Sequence, residues 1–251
     1  MSVKSLLTQL IFPPRCIACG KLLAVTEHEP PCFCAECQKG WRREMLLQCP
    51  DCFFEYSKCR CMPYALKRAG CSRYIKLFPY DDTERTRVSH SVILGMKRRL
   101  RARAFSAVAG EMAISLTYAL DEPSVDKEIE TVIGFLPRRR GTKKETGFDQ
   151  ARQLGLALAE RAGFRFLCVL ARERDKREQK TLTVRERQQN IKGAFSLMAD
   201  PRGRRVVLVD DVVTTGASAA EAVRLLRRAG AAEVWVLSVG YTVRKHKNKK
   251  D

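Results

Sequence analysis

Residues 205–218, RVVLVDDVVTTGAS, combine acidic, hydroxyl and glycine residues in a short space. An apolar run from Val206 reaches two adjacent aspartates, Asp210 and Asp211, and a Thr-Thr-Gly turn precedes a helical segment. Neighbouring carboxylates can accept hydrogen bonds from the two vicinal hydroxyls of a ribose. A glycine lets backbone amides approach an anion, and the following helix N-terminus stabilises negative charge. The segment therefore predicts a site for a ribose 5-phosphate.

The chemistry of these residues suggests a role for each. Asp210 and Asp211 are expected to hold the ribose hydroxyls, and they are the candidate catalytic residues. Either half of the pattern alone would fit an ordinary strand, an aspartate turn and a serine or threonine helix cap. The complete pattern favours a ligand site, with seven residues expected to bind the phosphate: Val212, Val213, Thr214, Thr215, Gly216, Ala217 and Ser218.

Cysteine is concentrated in one part of the chain. There are 11 cysteines, and all except Cys168 fall between Cys16 and Cys71. A CxxC turn places two thiolates on one side of a tight knuckle, and two knuckles complete a tetrahedral zinc shell. With no export signal recognised, the clustering indicates metal rather than disulfides. We predict two structural Zn²⁺ sites in a double zinc ribbon, the first formed by Cys16, Cys19, Cys34 and Cys37 and the second by Cys49, Cys52, Cys59 and Cys61.

The cysteine pattern leaves alternatives open. Cys32 could replace Cys34 in the first site, and Cys71 could be the fourth ligand of the second site, which otherwise closes with a tight Cys-Arg-Cys. An iron–sulfur cluster or a set of free buried thiols would use the same residues. Cys168 lies in an apolar run and is predicted to be a core residue of a strand.

Strand and helix patterns alternate after the cysteine-rich part. Strand-like runs cover residues 74–80, 131–136, 166–170, 194–198, 206–210 and 234–239. Helical patterns cover residues 83–120, 149–162 and 217–229, with Asp82 or Thr83 as the expected N-cap of the first and Gly163 as the C-cap of the second. Apolar strands separated by helices predict an α/β fold with a parallel sheet covered on both faces.

The charge balance favours polyanionic partners. The formal net charge is +19, and the run KRRLRAR lies within a predicted helix. Its basic residues are candidates for contact with single-stranded DNA, although a solvated helix face has the same composition: Lys97, Arg98, Arg99, Arg101 and Arg103. No run of 18 apolar residues occurs, so no transmembrane segment is expected and a cytoplasmic location is predicted.

The zinc-ribbon pattern followed by the 205–218 segment resembles the ComF family over about residues 10–240. Members combine a zinc ribbon with a type I phosphoribosyltransferase-like domain and are associated with the uptake of transforming DNA. The resemblance divides the chain into a cysteine-rich double zinc ribbon at 1–72, a phosphoribosyltransferase-like domain at 73–242 and a basic tail at 243–251. It implies phosphoribosyl pyrophosphate (PRPP), carried with Mg²⁺, as the ligand, and other competence proteins as partners.

Further segments match the family pattern. Lys97 fits a lysine-bearing segment, and Leu136 with Pro137 fits a strand end before the pyrophosphate loop. This implies that pyrophosphate is bound by Pro137, Arg138 and Arg139, where guanidinium groups and amides could hold it. The chain has Thr146 and Asp149 where the family usually has arginine and asparagine, so no role is transferred there. Two functions remain open, a PRPP-consuming transferase and a non-catalytic factor that binds single-stranded DNA.

Overall fold

A computed structural model of the 251-residue chain describes residues 12–24, 31–81, 83–98, 102–138, 148–172 and 193–242. The helices in these ranges are α1 (Ala35–Met45), α2 (Tyr64–Arg68), α3 (Val88–Arg98), α4 (Ala102–Leu120), α5 (Gln150–Ala162) and α6 (Ala217–Arg228). The strands are β1 (Arg73–Tyr80), β2 (Thr131–Phe135), β3 (Arg165–Phe166), β4 (Leu170–Arg172), β5 (Phe195–Leu197), β6 (Arg205–Val213) and β7 (Glu233–Thr242). The basic tail at 243–251 lies outside the described residues.

Five strands form one parallel sheet in the order β1-β7-β6-β2-β3, while β4 and β5 form a separate antiparallel pair. The central strand β6 is apolar on both faces, as a strand covered on both sides requires. Its Val207 and Val209 pack with residues of α3, α4 and α5, whereas Val206 and Leu208 pack with α2 and α6. The predicted α/β class with a covered parallel sheet is confirmed.

The long helical segment predicted at 83–120 is two helices, and the first begins later than expected. Asp81 forms a local turn by accepting a hydrogen bond from the Thr83 backbone N–H at 2.8 Å. Helix α3 begins at Val88, where the buried carboxylate of Glu44 accepts backbone N–H bonds from Val88 at 2.7 Å and Ser89 at 3.0 Å. A residue 44 positions away in sequence therefore satisfies the helix N-terminus.

Helix α5 follows the sequence prediction at both ends. The Asp149 side chain accepts a hydrogen bond from the Arg152 backbone N–H and forms the N-cap. Gly163 forms the C-cap with a φ of 72°, a left-handed conformation that glycine adopts without steric cost. Local cap signals were sufficient here because both ends depend on neighbouring residues.

The apolar run at 166–170 is not a single strand, and the prediction for Cys168 was wrong. β3 ends at Phe166, the chain turns through Leu167, and β4 begins at Leu170 as part of the antiparallel pair. Cys168 lies in this connection and is exposed. Cys168 lies outside the core because it is in the connection between strands of two different sheets.

The cysteine-rich part packs directly against the sheet and its helices. Trp41 of α1 is 2 % exposed, with its ring centroid 5.1 Å from that of Phe33 and 4.7 Å from that of Phe78 in β1. Its indole N–H donates to the Glu111 carboxylate in α4 at 3.2 Å. An aromatic cluster therefore joins the cysteine-rich part to the sheet.

None of the helices in the described ranges has an apolar stretch of the length needed to span a bilayer.

Candidate functional site

Strand β6 carries Asp210 and Asp211 beyond the end of its neighbour β2. β2 stops at Phe135, opposite Val209, whereas β6 continues to Val213 beside β7. The expectation that the strand ends at the aspartates was therefore wrong, and the pair lies inside the strand. Because β2 is shorter, the edge of β6 from Asp210 onward faces the loop that follows β2. The carboxyl ends of parallel strands form such ligand-binding edges in open α/β sheets.

Asp211 lies between two cations from different elements. It is only 4 % exposed, and Arg138, just after β2, forms an ion pair with its Oδ2. The Lys97 ammonium near the end of α3 lies 3.6 Å from the same oxygen. Lys97 also lies over the ring of Tyr80, 5.5 Å from its centroid. The candidate site thus combines one buried carboxylate with two positive charges.

The two aspartates have opposite ionisation tendencies. Burial and the negative charge of Asp211 raise the pKa of Asp210 well above its ordinary value. Burial alone would also raise the pKa of Asp211, but the charges of Arg138 and Lys97 outweigh it and hold that pKa below its usual value. The pair therefore ionises first at Asp211. Asp210 can donate as well as accept a hydrogen bond while it is protonated.

Two further residues, to which sequence analysis gave no role, position these cations. The Asp149 carboxylate accepts a hydrogen bond from the Arg138 backbone N–H at 3.2 Å. The side chain of Gln150 is fully buried and donates to the Lys97 carbonyl at 3.2 Å. The GFDQA element at 147–151 contains both residues, and it was the available signal in the sequence. The N-terminus of α5 therefore joins the loop after β2 to the end of α3.

The phosphate loop, residues 212–218, turns from β6 into α6. Gly216 is the helix N-cap with a φ of 74°, which a side chain would strain. A Cβ atom there would lie 3.3 Å from Pro63 Cβ and 3.4 Å from Leu66 Cγ, so α2 packs closely behind the loop. Thr214 and Thr215 are exposed. The Thr215 hydroxyl accepts a hydrogen bond from the Ala217 backbone N–H at 3.4 Å. The N-terminus of a helix generally favours an anion.

The first cysteine cluster has the arrangement that zinc requires. The sulfur atoms of Cys16, Cys19, Cys34 and Cys37 all lie within 4.8 Å of one another, and those of Cys19 and Cys34 are 3.8 Å apart. A tetrahedron with Zn–S bonds of about 2.3 Å has sulfur–sulfur edges of about 3.8 Å. Cys32 is outside the group, with its Sγ 3.9 Å from the Arg103 carbonyl oxygen. The cluster can hold a zinc ion.

The second cysteine cluster is formed by the four predicted residues. The sulfur atoms of Cys49, Cys52, Cys59 and Cys61 lie within 4.8 Å of one another, with those of Cys52 and Cys59 3.4 Å apart. Cys71 is not part of the group, because its thiol is buried and donates to the Arg73 carbonyl at 3.1 Å. Burial raises the pKa of this thiol to about 12. This cluster can hold a second zinc ion.

The two knuckles differ at one equivalent position. The residue after the first CxxC pair of each cluster has a left-handed backbone, with a φ of 77° at Gly20 and 61° at Phe53. Glycine adopts this conformation freely, whereas a phenylalanine there is strained by about 1–2 kcal/mol. The Phe53 ring is 73 % exposed, so burial of its side chain does little to offset this strain.

A buried lysine lies beside the second cluster. Lys76 in β1 is 1 % exposed, and its ammonium donates to the Cys59 sulfur at 3.1 Å and to the Cys61 carbonyl at 2.6 Å. It also lies 5.0 Å from the ring centroid of Tyr74. Sequence analysis gave no role to this lysine, and an isolated lysine in a strand carried no signal of its contact with cysteines.

The residues predicted to bind nucleic acid or pyrophosphate lie only partly within the described ranges of the chain. Lys97 lies beside Asp211, and Arg103 at the start of α4 donates to the Pro31 carbonyl at 2.6 Å. Pro137 is buried directly before Arg138. The remaining predicted residues, or their side chains, lie outside the described part of the chain: Arg98 (side chain), Arg99, Arg101 and Arg139.

A cavity of about 480 Å³ lies away from this edge of the sheet. It is lined by Gly193, Phe195, Glu221, Arg224, Leu225 and Arg228, and includes no residue of the phosphate loop. Its lining does not include the predicted ribose-phosphate residues.

Comparison with known proteins finds relatives that match most of the chain. A family model for the phosphoribosyl transferase domain matches residues 151–250. DNA utilization protein YhgH of Escherichia coli K12 is 28 % identical over 91 % of this chain and 98 % of its own length. Competence protein ComFC of Streptococcus pneumoniae is 23 % identical over 90 % of this chain and 99 % of its own length. Competence protein F of Haemophilus influenzae is 46 % identical over 23 % of this chain and 27 % of its own length. Proteins named for DNA utilization and competence are therefore similar to this chain over nearly its whole length. Along the chain, two cysteine clusters precede the parallel sheet, as the ComF resemblance implies.

Solved structures of phosphoribosyltransferases are also similar to this chain. The glutamine PRPP amidotransferase of B. subtilis is 23 % identical, with a TM-score of 0.37, over 58 % of this chain and 30 % of its own. An adenine phosphoribosyltransferase is 21 % identical with a TM-score of 0.33, over 53 % of this chain and 71 % of its own.

Proposed function

We propose that this chain binds PRPP, or a ribose 5-phosphate group, at the phosphate loop and acts in the uptake or processing of transforming DNA. The observation that carries the proposal is the convergence of Arg138 and Lys97 on Asp211, next to a glycine-capped helix N-terminus. The aspartate pair suits the ribose diol, the backbone amides of residues 212–218 suit a phosphate, and the two cations suit a pyrophosphate. Separate elements of the fold supply these groups. The names of the relatives, which refer to DNA utilization and competence, support the biological context.

In the proposed complex, each residue group has one task. Asp210 and Asp211 bind the ribose hydroxyls, and residues 212–218 bind the 5-phosphate through backbone amides and hydroxyl groups. Arg138 and Arg139 bind the pyrophosphate, Pro137 restricts the backbone directly before them, and Lys97 adds a further positive charge. Mg²⁺ would arrive with PRPP and neutralise the pyrophosphate, and the carboxylate oxygens of the aspartate pair suit its preference for hard ligands. Zn²⁺ in the two cysteine clusters has a structural role.

Turnover would break the bond between the ribose anomeric carbon and the pyrophosphate oxygen. The electron pair would leave on pyrophosphate, and an acceptor nucleophile would form the new bond to that carbon. The protein would contribute mainly by positioning the ligand and stabilising the developing charges. Arg138 and Lys97 would stabilise the leaving pyrophosphate.

Release of pyrophosphate separates an enzyme from a ligand-binding factor. Zinc-loaded protein is incubated with PRPP and Mg²⁺ alone, with ammonia and with each free nucleobase, and pyrophosphate is measured by a coupled assay. Catalytic function predicts release with at least one acceptor, and its loss on Arg138→Ala. Saturable PRPP binding with no release above the protein-free rate in any mixture would contradict turnover and favour ligand recognition alone.

Single-stranded DNA binding is the second candidate function, favoured by the net charge of +19. Phosphate contacts would supply most of the affinity, so the logarithm of the binding constant should fall by about 0.7 per neutralised phosphate for each unit of log salt. Replacing Arg98, Arg99 and Arg101 by alanine should reduce both the affinity and this slope. Fluorescence anisotropy with a labelled oligonucleotide at several salt concentrations measures both.

The matched control for DNA binding is the Asp210→Asn, Asp211→Asn variant. It removes the proposed ribose contacts and no positive charge, so it should keep most of the DNA affinity. Absence of salt-dependent binding by the wild-type protein at low ionic strength would refute a DNA-binding function. The positive charge would then act only in solubility and small-anion binding.

A further inference from the structure

The second cysteine cluster and the phosphate loop are joined by contacts that sequence analysis did not indicate. We propose that this cluster, with zinc bound, positions the ribose-phosphate site through Lys76 and helix α2, so that zinc retention and PRPP binding are linked. The inference rests on the proposed function, because it concerns the same ligand site. Lys76 is assigned as a positioning residue that acts through the cluster and the sheet.

Lys76 is held where its charge complements the cluster. A zinc ion with four thiolates carries a charge of −2, and the ammonium donates directly to the Cys59 sulfur and the Cys61 carbonyl. Three tyrosine rings surround this ammonium, with centroids 5.0 Å away at Tyr74, 5.8 Å at Tyr241 and 6.0 Å at Tyr56. Groups that hydrogen-bond to metal ligands fix their orientation, and their loss typically lowers metal affinity about 10–100-fold.

The same lysine begins a row of residues that leads to the ribose site. In the register of the parallel sheet, Lys76 in β1 pairs with Ser238 in β7, and Ser238 pairs with Asp210 in β6. Paired residues of neighbouring strands point to the same face, and strands are about 4.8 Å apart. The Tyr74 hydroxyl lies 2.8 Å from the Ser238 hydroxyl, which fixes the centre of the row. Lys76, which contacts the cluster, and Asp210 are therefore two strand spacings apart on one face.

A second route runs through α2. This helix begins at Tyr64, three residues after Cys61, and its Leu66 is fully buried. Pro63 and Leu66 lie behind Gly216 so closely that a Cβ atom there would contact both. Displacement of Cys61 would move these side chains and with them the N-cap of α6. The phosphate end and the ribose end of the site are thus each in contact with elements held by the same cluster.

Linkage requires that the effect be reciprocal: if zinc improves PRPP binding, PRPP must improve zinc retention by the same factor. Full-length, zinc-loaded protein is brought to equilibrium with increasing concentrations of a chromophoric zinc chelator, with and without saturating PRPP and Mg²⁺. The Cys49→Ser variant, which lacks a complete second cluster, identifies the part of the zinc-transfer curve that belongs to that cluster. We expect PRPP to raise the zinc affinity of this cluster about 10-fold, within the usual range of coupling between sites.

Lys76→Met removes the ammonium while keeping an unbranched side chain. We expect it to lower the zinc affinity of the second cluster about 10-fold and to weaken PRPP binding by about the same factor. Lys76→Arg, which keeps the charge and donors, should restore most of both properties. Lys58→Met is the matched control, because Lys58 is in the same knuckle but pairs with Glu55 with its side chain 46 % exposed; it should leave both properties unchanged.

The outcomes separate this inference from the proposed function. If PRPP binds the wild-type protein but changes the zinc affinity of neither cluster, the linkage is overturned and the proposed ligand site stands. This measurement needs no variant, so it decides the question even if Lys76→Met does not fold. If the wild-type protein binds no PRPP, the linkage and the proposed function both fail.

Discussion

Purified protein is expected to contain two zinc ions per chain, and their removal is expected to unfold the cysteine-rich part. The described residues before Arg73 hold few apolar core residues besides Trp41, Phe33 and Leu66, so metal ligation must supply much of their stability. Structural zinc in comparable small modules contributes binding free energies of about 10–16 kcal/mol that are coupled to folding. Elemental analysis gives the stoichiometry.

Tryptophan fluorescence can follow this unfolding, because the two tryptophans lie in different parts of the fold. The chain has two tryptophans, Trp41 between the cysteine-rich part and the sheet and Trp235 inside the sheet. A Trp235→Phe variant isolates Trp41, whose emission should shift to the red when a strong chelator removes zinc. Cys49→Ser should retain one zinc ion, whereas Cys168→Ser, which changes an exposed thiol outside both clusters, should retain two. A metal-free protein with unchanged Trp41 emission would contradict a structural role for zinc.

The second large effect is expected from replacing Asp210 and Asp211 together by asparagine. Hydrogen bonds to a charged group contribute about 1.5–3 kcal/mol, so replacing the ionised Asp211 by a neutral amide, together with the loss of carboxylates that suit Mg²⁺, should weaken PRPP binding about 100-fold. Thermal unfolding measures this, because a ligand at 100 times its Kd stabilises the folded protein by about 2.7 kcal/mol. The wild-type melting temperature should rise with PRPP, and that of the variant should not.

The cost of this substitution to the fold is separate from its effect on the ligand. Asp211 is buried and paired with Arg138 and Lys97, so the variant should lose about 1–3 kcal/mol of stability without ligand. Asp200→Asn is the matched control, because Asp200 is exposed in a turn outside the site and its substitution should leave the PRPP response intact. A variant that PRPP still stabilises as strongly as the wild-type protein would exclude the aspartate pair as the ribose site.

Local patterns in the sequence were sufficient for the features that short segments determine. The eight clustered cysteines come together because each knuckle is a tight turn, and Asp149 and Gly163 cap α5 through neighbouring backbone groups. The predicted Thr-Thr-Gly turn before a helix is also present, with Gly216 as the N-cap of α6. In each case the residues that interact are close in sequence, so their spacing carries the information.

Contacts between distant segments were not predictable in the same way. Lys97 appeared to belong to a basic helix face, but the packing of α3 at the sheet edge places it beside Asp211. Glu44 caps a helix that begins 44 residues later. Lys76 is in an edge strand, where lysines commonly face solvent, yet its ammonium contacts a cysteine cluster. Cys168 is exposed because the chain changes direction between two short strands. These placements depend on how whole elements pack.

A calorimetric titration of the zinc-loaded protein with PRPP and Mg²⁺ tests the central claim most directly. We predict saturable binding of one PRPP per chain, competition by ribose 5-phosphate, and loss of binding in the Asp210→Asn, Asp211→Asn variant but not in Asp200→Asn. No saturable heat with the wild-type protein, or binding that ribose 5-phosphate cannot compete and the double substitution does not weaken, would contradict a ribose-phosphate site at the β6–α6 loop.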